Sequence, residues 1–303
     1  MIPAHSGGLL AAEVVKAVRE GDLDAVRSWL AAGGDEFVNE PARYEYRRPL
    51  DPDVYYATEK LIHHAISGDS ANSTAMVEVL LQAGARPELD FLMAAIGRSN
   101  VNAALTLLAH GVDPTPRFGV WTAIHYAANE QLPNQAGLIR ALLDAGASAN
   151  ARTSGNHVTP LMFAAGNGFT CPRVLRLLLK YGADVDAVAG DGRTVDDFAR
   201  RVLEASIWHD PHHLPRDTRI WRAPGVAEGA LALFRDFRDF RAAAGGTWKR
   251  FVREPREELL ILRRLVGRFR AAPPSVLFRL FRPQFPDVLF WKVLEFWRSE
   301  RDA

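Results

Sequence analysis

The run with the most evident capacity for chemistry is Trp208-His209-Asp210-Pro211-His212-His213-Leu214-Pro215-Arg216-Asp217, with three histidines and two aspartates in ten positions. Imidazole and carboxylate are ligands that zinc accepts. A metal site also needs a regular element to bring its ligands to one point. The His-x-x-His-His spacing, broken by prolines, fits neither a helix face nor a hairpin, so the run reads as a solvated linker and no metal is expected. The single cysteine, Cys171, opens a helix in Thr170-Cys171-Pro172-Arg173, a position that can lower a thiol pKa. No catalytic constellation surrounds it in sequence, and it reads as an ordinary first-turn residue. The Gly-x-Gly-x-x-Gly, Walker A, Gly-x-Ser-x-Gly and His-Glu-x-x-His patterns are missing from the sequence. Asp22, Asp113, Asp184 and Asp186 fall at helix starts and turns, where carboxylates serve the backbone. The chain is expected to be no enzyme and to need no cofactor.

The elements that would position any site form a repeat. Val77-Glu78-Val79-Leu80-Leu81-Gln82-Ala83-Gly84-Ala85 matches Ile139-Arg140-Ala141-Leu142-Leu143-Asp144-Ala145-Gly146-Ala147 and Leu175-Arg176-Leu177-Leu178-Leu179-Lys180-Tyr181-Gly182-Ala183. Related copies end at Gly33 and Gly111, giving glycine spacings of 51, 27, 35 and 36. Each copy has apolar residues at i, i+3 and i+4, the pattern of an amphipathic helix, and then a glycine. A helix that stops sharply needs a left-handed residue, and only glycine adopts that conformation without a Cβ penalty. A second helix precedes each copy, opening at Thr122, Thr159 or Thr194. Threonine is a competent N-cap, and Pro160 stands at a first helical position where its missing N–H is harmless.

A unit of about 33 residues opening on Thr-Pro-Leu-His-x-Ala resembles the ankyrin repeat. The carrying stretches are Thr122-Ala123-Ile124-His125-Tyr126-Ala127-Ala128 and Thr159-Pro160-Leu161-Met162-Phe163-Ala164-Ala165. Five two-helix units are read at 9–35, 58–86, 90–115, 120–151 and 157–186, with a sixth or cap from Asp191 to near Leu203. The fold class expected is all-α, an ankyrin-repeat solenoid over 9–203, then a linker and helix over 204–246 and a small C-terminal helical module over 247–303. The resemblance implies protein binding through hairpin tips and first-helix faces. Thr122, His125 and Thr159 read as turn-tying residues rather than as chemistry.

The long first spacing leaves room for roughly 18 extra residues, an inserted finger near Phe37–Ala57. It holds four of the six tyrosines, and Pro41, Pro49 and Pro52 make it read as a turn-rich loop. Insertions in repeat arrays gather on one edge, and Tyr and Arg are hot-spot residue types. Tyr44, Tyr46, Arg47, Tyr55 and Tyr56 are therefore the expected partner-binding residues.

Beyond the array, residues 204–230 read as irregular, and Phe234, Phe237 and Phe240 recur near a period of three on a helix ended by Gly245-Gly246. In the last module, Phe285-Pro286-Asp287-Val288-Leu289-Phe290-Trp291-Lys292-Val293-Leu294-Glu295-Phe296-Trp297 resembles the opening of an F-box. Pro255-Arg256 before Leu259-Leu260-Ile261-Leu262-Arg263-Arg264-Leu265-Val266 is similar to a SOCS-box. Either resemblance implies an adaptor of a cullin-type ubiquitin ligase as partner, with Pro286, Leu289, Phe290, Leu294 and Trp297 binding it.

The composition, 48% hydrophobic and 24% charged over 303 residues, is that of a globular chain. No window approaches 18 uncharged apolar residues, so no membrane helix is expected, and the N-terminus carries no signal-peptide pattern. One cysteine excludes an internal disulfide and points to the cytosol or nucleus. The net charge of +1 divides into 17 bases against 23 acids over residues 1–200, and 20 against 13 over 201–303. Acids mixed among the bases argue against a phosphate-tracking groove, so nucleic acid is not an expected partner. The opposite signs would let residues 204–303 dock on the array as well as, or instead of, on a foreign partner, and a monomer is expected.

Overall fold

The computed structural model describes residues 12–47, 54–68, 71–167, 172–207, 224–244, 246–248 and 251. The chain divides into two compact units, residues 1–154 and 155–303.

The first unit contains helices α1 (Ala12–Glu20), α2 (Leu23–Ala31), α3 (Leu61–Ser67), α4 (Ser73–Gln82), α5 (Leu89–Gly97), α6 (Val101–Ala109), α7 (Ala123–Asn129) and α8 (Gln135–Asp144). They pair in sequence order, and like helices of adjacent pairs stack, α3 on α5 and α5 on α7, α4 on α6 and α6 on α8. Leu80, Leu92, Ile96, Leu107, Ile124, Leu138 and Leu142 are fully buried in this stack. Polar ties join the helices within a pair and one pair to the next. The Ser73 hydroxyl donates to Ala65 O at 2.6 Å and accepts from Asn100 Nδ2 at 2.9 Å. Buried Gln135 donates through Nε2 to Ala127 O and Glu130 O, both at 2.9 Å. Such bonds satisfy carbonyls that the ends of short helices leave open.

The expected C-terminal glycines do what their spacing predicts. Gly84, Gly111 and Gly146 have φ of +91°, +87° and +98°. After α8, Gly146 N–H donates to Leu143 O at 3.1 Å and Ala147 N–H to Leu142 O at 2.9 Å, the paired bonds of a helix stop on a left-handed residue.

The finger differs from the loop expected of it. It forms an antiparallel ribbon, β1 (Pro41–Arg47) and β2 (Val54–Lys60), with Tyr46 opposite Tyr55, Tyr44 opposite Ala57 and Glu45 opposite Tyr56. Two prolines lie between the strands and the third opens β1, where its missing donor disrupts least. The segments left between them hold four tyrosines with Val54 and Thr58, residue types that favour a pleated backbone.

The second unit contains α9 (Pro160–Gly166), α10 (Pro172–Lys180), α11 (Val195–Ile207) and α12 (Pro224–Ala244). The helix α11 packs on α9 and α12, and α12 also touches α10. Two of these elements exceed their expected ends. The helix α11 runs on to Ile207, and α12 begins at Pro224, inside the stretch expected to be irregular. Proline suits a first helical turn, and burial of Ala227, Ala230, Phe234 and Phe237 overrides the weak propensity of Gly225 and Gly229.

Candidate functional site

Two features of the first unit present side chains or backbone suited to binding. One is the tyrosine ribbon. Its register puts Tyr44, Tyr46 and Tyr55 at positions of one face of the ribbon, and Tyr56 with Arg47 at positions of the other. The ribbon's root is fixed: Asn39 donates through Nδ2 to Gly84 O at 3.0 Å and accepts from Arg86 N–H at 2.8 Å. At the far end of β2, Lys60 pairs with Glu88 and lies 6.0 Å from the centre of the Phe91 ring. His63 meets the same ring edge-on at 4.8 Å.

The other feature was not singled out by its sequence. The chain before α7 makes a tight hairpin: Phe118 N–H donates to Trp121 O at 2.8 Å and Trp121 N–H to Phe118 O at 3.4 Å, with Gly119 at φ +64°. Phe118 and Val120 are 45% and 52% exposed at its tip. Trp121 packs edge-on against Tyr126, which lies on the half-exposed side of α7, at 4.6 Å between centroids. Below the tip, Thr122 and His125 form the expected tie. His125 Nδ1 accepts from Thr122 N–H at 3.1 Å and lies 2.8 Å from Thr122 Oγ1, which leaves Nε2–H to donate to Ala151 O at 3.1 Å. The imidazole is thereby held neutral in one tautomer, as a structural brace. The signal available in sequence was two aromatics flanking Gly-Val directly before a threonine N-cap.

In the second unit the matching hairpin is closed on itself. Val188 and Thr194 form its bridge, and Asp191 accepts from Arg193 N–H at 3.1 Å and from Arg193 Nε at 2.7 Å. The Asp191 carboxyl is held below its usual range by those bonds to Arg193. Next to it, Arg238 of α12 donates to Asp186 at 2.9 Å, Asp196 at 2.7 Å and Val185 O at 2.8 Å, and Arg241 donates to Asp186 at 3.0 Å. Burial works against the Arg238 charge, but the bonds to Asp196 and Asp186 outweigh it and raise its pKa. Phe237, Trp248 and Phe251 form an aromatic cluster with centroids 5.3–5.5 Å apart. It borders a cleft of about 220 Å³ lined also by Arg176, Leu233 and Asp236.

Another buried histidine of the first unit is His64, whose pKa is lowered to about 4 by burial first, then by Arg19 and His63. It lies in the helix packing, not in a cleft. Among the described residues, no group of three His, Cys, Asp or Glu is placed to hold a metal ion, and no helix is long and apolar enough to cross a membrane. The expected adaptor residues Pro286, Leu289, Phe290, Leu294 and Trp297, the histidine-rich run and Cys171 lie outside the described residues.

Stacked helix pairs, each stopped by a left-handed glycine and preceded by a turn, define a helical repeat protein. A family model of ankyrin repeats, three copies long, matches residues 62–153 and again 92–189. Over residues 62–189, less than half of its length, the chain therefore matches ankyrin repeats. A search of curated proteins returned no match. Among solved structures, a chain of the complex between a predatory endopeptidase from Bdellovibrio bacteriovorus and an immunity protein is similar at 20% identity, over 65% of this chain and 93% of that one, with a TM-score of 0.46. A likeness of that degree says nothing of what this chain binds.

Proposed function

We propose that the chain is a non-enzymatic protein-interaction scaffold, binding a partner protein through the hairpin and first-helix side of its repeats together with the tyrosine ribbon. The observation that carries this reading is the hairpin before α7, which holds Phe118 and Val120 in solvent on a backbone braced at several points. An exposed aromatic on a rigid tip adds little to the fold, and it is what a binding surface requires. The ribbon supports it, since Tyr and Arg supply contact area with a polar end. The proposed setting is the cytosol or nucleus, with the chain a monomer of five repeats and a sixth or cap.

The test is co-purification of partner proteins with the intact chain and with its Y44S/Y46S/Y55S/Y56S variant. We expect at least one specific partner to be lost with the variant while the melting temperature stays within about 2 °C. An unchanged partner set sinks the ribbon's part in the reading, and a large fall in melting temperature makes the ribbon structural. The ligase-adaptor reading of Pro286, Leu289, Phe290, Leu294 and Trp297 separates cleanly in the same experiment. A chain ending at Phe251 keeps the Phe237–Trp248–Phe251 cluster, and it should lose ligase subunits alone if that reading holds.

A further inference from the structure

Resting on the scaffold reading, we infer that the hairpin Arg117–Trp121 with the outer edge of α7 is a docking site for a short partner segment that carries acidic side chains beside apolar ones. Four observations converge on that class of ligand. The tip is apolar, with Phe118 and Val120 its exposed side chains and the Trp121–Tyr126 pair its half-buried floor.

Its flanks are basic. Arg117 and Arg152 are both exposed, and the Arg117 guanidinium reaches Arg152, donating through Nη2 to Arg152 O at 3.1 Å. That bond uses a backbone carbonyl, so no carboxylate among the described residues neutralises Arg117. A planar guanidinium with donors to spare is suited to a carboxylate.

The backbone is also held in place before any ligand arrives. Phe118 and Trp121 close the hairpin, Ser154 N–H donates to Val120 O at 3.1 Å, and His125 ties the base of the turn to Ala151. A braced loop loses little conformational freedom on binding, so exposed apolar area there converts to affinity more fully than on a mobile loop. The corresponding hairpin of the second unit carries Asp191 paired with Arg193 at its tip and presents no aromatic side chain there. The aromatic tip is thus a property of this repeat rather than of every hairpin. One hairpin and one helix edge make the footprint of a short segment rather than the ~800 Å² per partner of a standard interface.

The test is selection of a displayed library of random 12-residue peptides on the full-length chain, with counter-selection on the F118S/V120S variant. Peptides that survive should combine Asp or Glu with Leu, Phe or Trp. Their dissociation constants, measured by fluorescence anisotropy, should rise at least tenfold for F118S/V120S and for R117E. The affinity of R117E should recover in part for peptides whose acids are changed to Lys. Arg117 is exposed, so R117E keeps the test decisive should the double variant unfold. The inference is overturned if no selected peptide depends on Phe118, Val120 or Arg117, or if those that do are basic or uncharged. Peptides that bind through the tyrosine ribbon instead, being lost in Y44S/Y46S/Y55S/Y56S, would overturn this site and leave the scaffold reading standing.

Discussion

Single residues do two separable jobs in this chain, and each job predicts a different response to substitution. Gly146 has a φ of +98°, and a Cβ added there meets only Thr115 Cγ2, at 3.9 Å. Space is available and the backbone conformation is not, so Gly146→Ala should destabilise by about 1–2 kcal/mol through left-handed strain alone. Gly146→Asn should recover part of that loss, which urea midpoints would show. If Ala and Asn cost the same, strain is not the cause. His64 predicts a pH effect. Its pKa falls from 6.5 to about 4 on folding, so the unfolded chain binds the extra proton between those values. Stability contributed by the neutral ring is complete above pH 6.5 and is lost as pH falls toward 4, amounting to about 2 kcal/mol at pH 5. Between pH 7 and 4.5 the melting temperature of the wild type should fall relative to that of His64→Leu. Parallel curves would show that other groups carry the acid sensitivity.

At the scale of elements, α12 is joined to α11 and to the turn before it by a graded set of ion pairs. Arg238 has 28% of its side chain exposed and Asp196 21%, whereas Arg241 and Asp186 have 42% and 51%. A pair nearer bulk water is screened and contributes ~0–1 kcal/mol. Removing Arg238 leaves a half-buried carboxylate and a carbonyl without their donor, which costs about 1–3 kcal/mol. Arg238→Ala should therefore lower the urea midpoint clearly more than Arg241→Ala, and 1 M salt should erase the smaller effect first. Equal effects would mean that Phe234 and Phe237 alone seat the helix. Sequence reading could see the opposite charges of the two parts. It could not see Arg238 meeting Asp186 across 52 positions, because a pairing that distant leaves no local pattern. The reverse holds for the helix stops, where one glycine answers a requirement confined to one turn. The ribbon failed for a third reason: its prolines read as loop signals, while the alternation between them was short. The hairpin before α7 was missed because four residues around one glycine carry no periodicity to count.

The molecule as a whole follows from interactions between neighbours, and this makes its stability local. In the first unit each helix packs on its pair and on the like helix of the next pair. Stability in such arrays approximates a sum over units and their adjoining faces, so damage should spread by decreasing steps rather than all at once. Leu107 of α6 is fully buried and sits between the layers of α4 and α8. Leu107→Ala removes buried methyl groups and leaves a cavity, at about 3 kcal/mol. Native-state hydrogen exchange of the variant should show the largest loss of protection in α4, α6 and α8. A smaller loss should appear in α2, and protection in α11 and α12 should stay near the wild-type level. A uniform loss across both units would show that the chain unfolds as one cooperative block, and the hairpin braces at Ser154 and His125 would then share in every core defect. If protection at the Phe118–Trp121 hairpin falls with that of α6, the docking tip depends on the stack beneath it for its order. If the hairpin keeps its protection, the bonds from Ser154 and His125 suffice to hold it ready for a ligand.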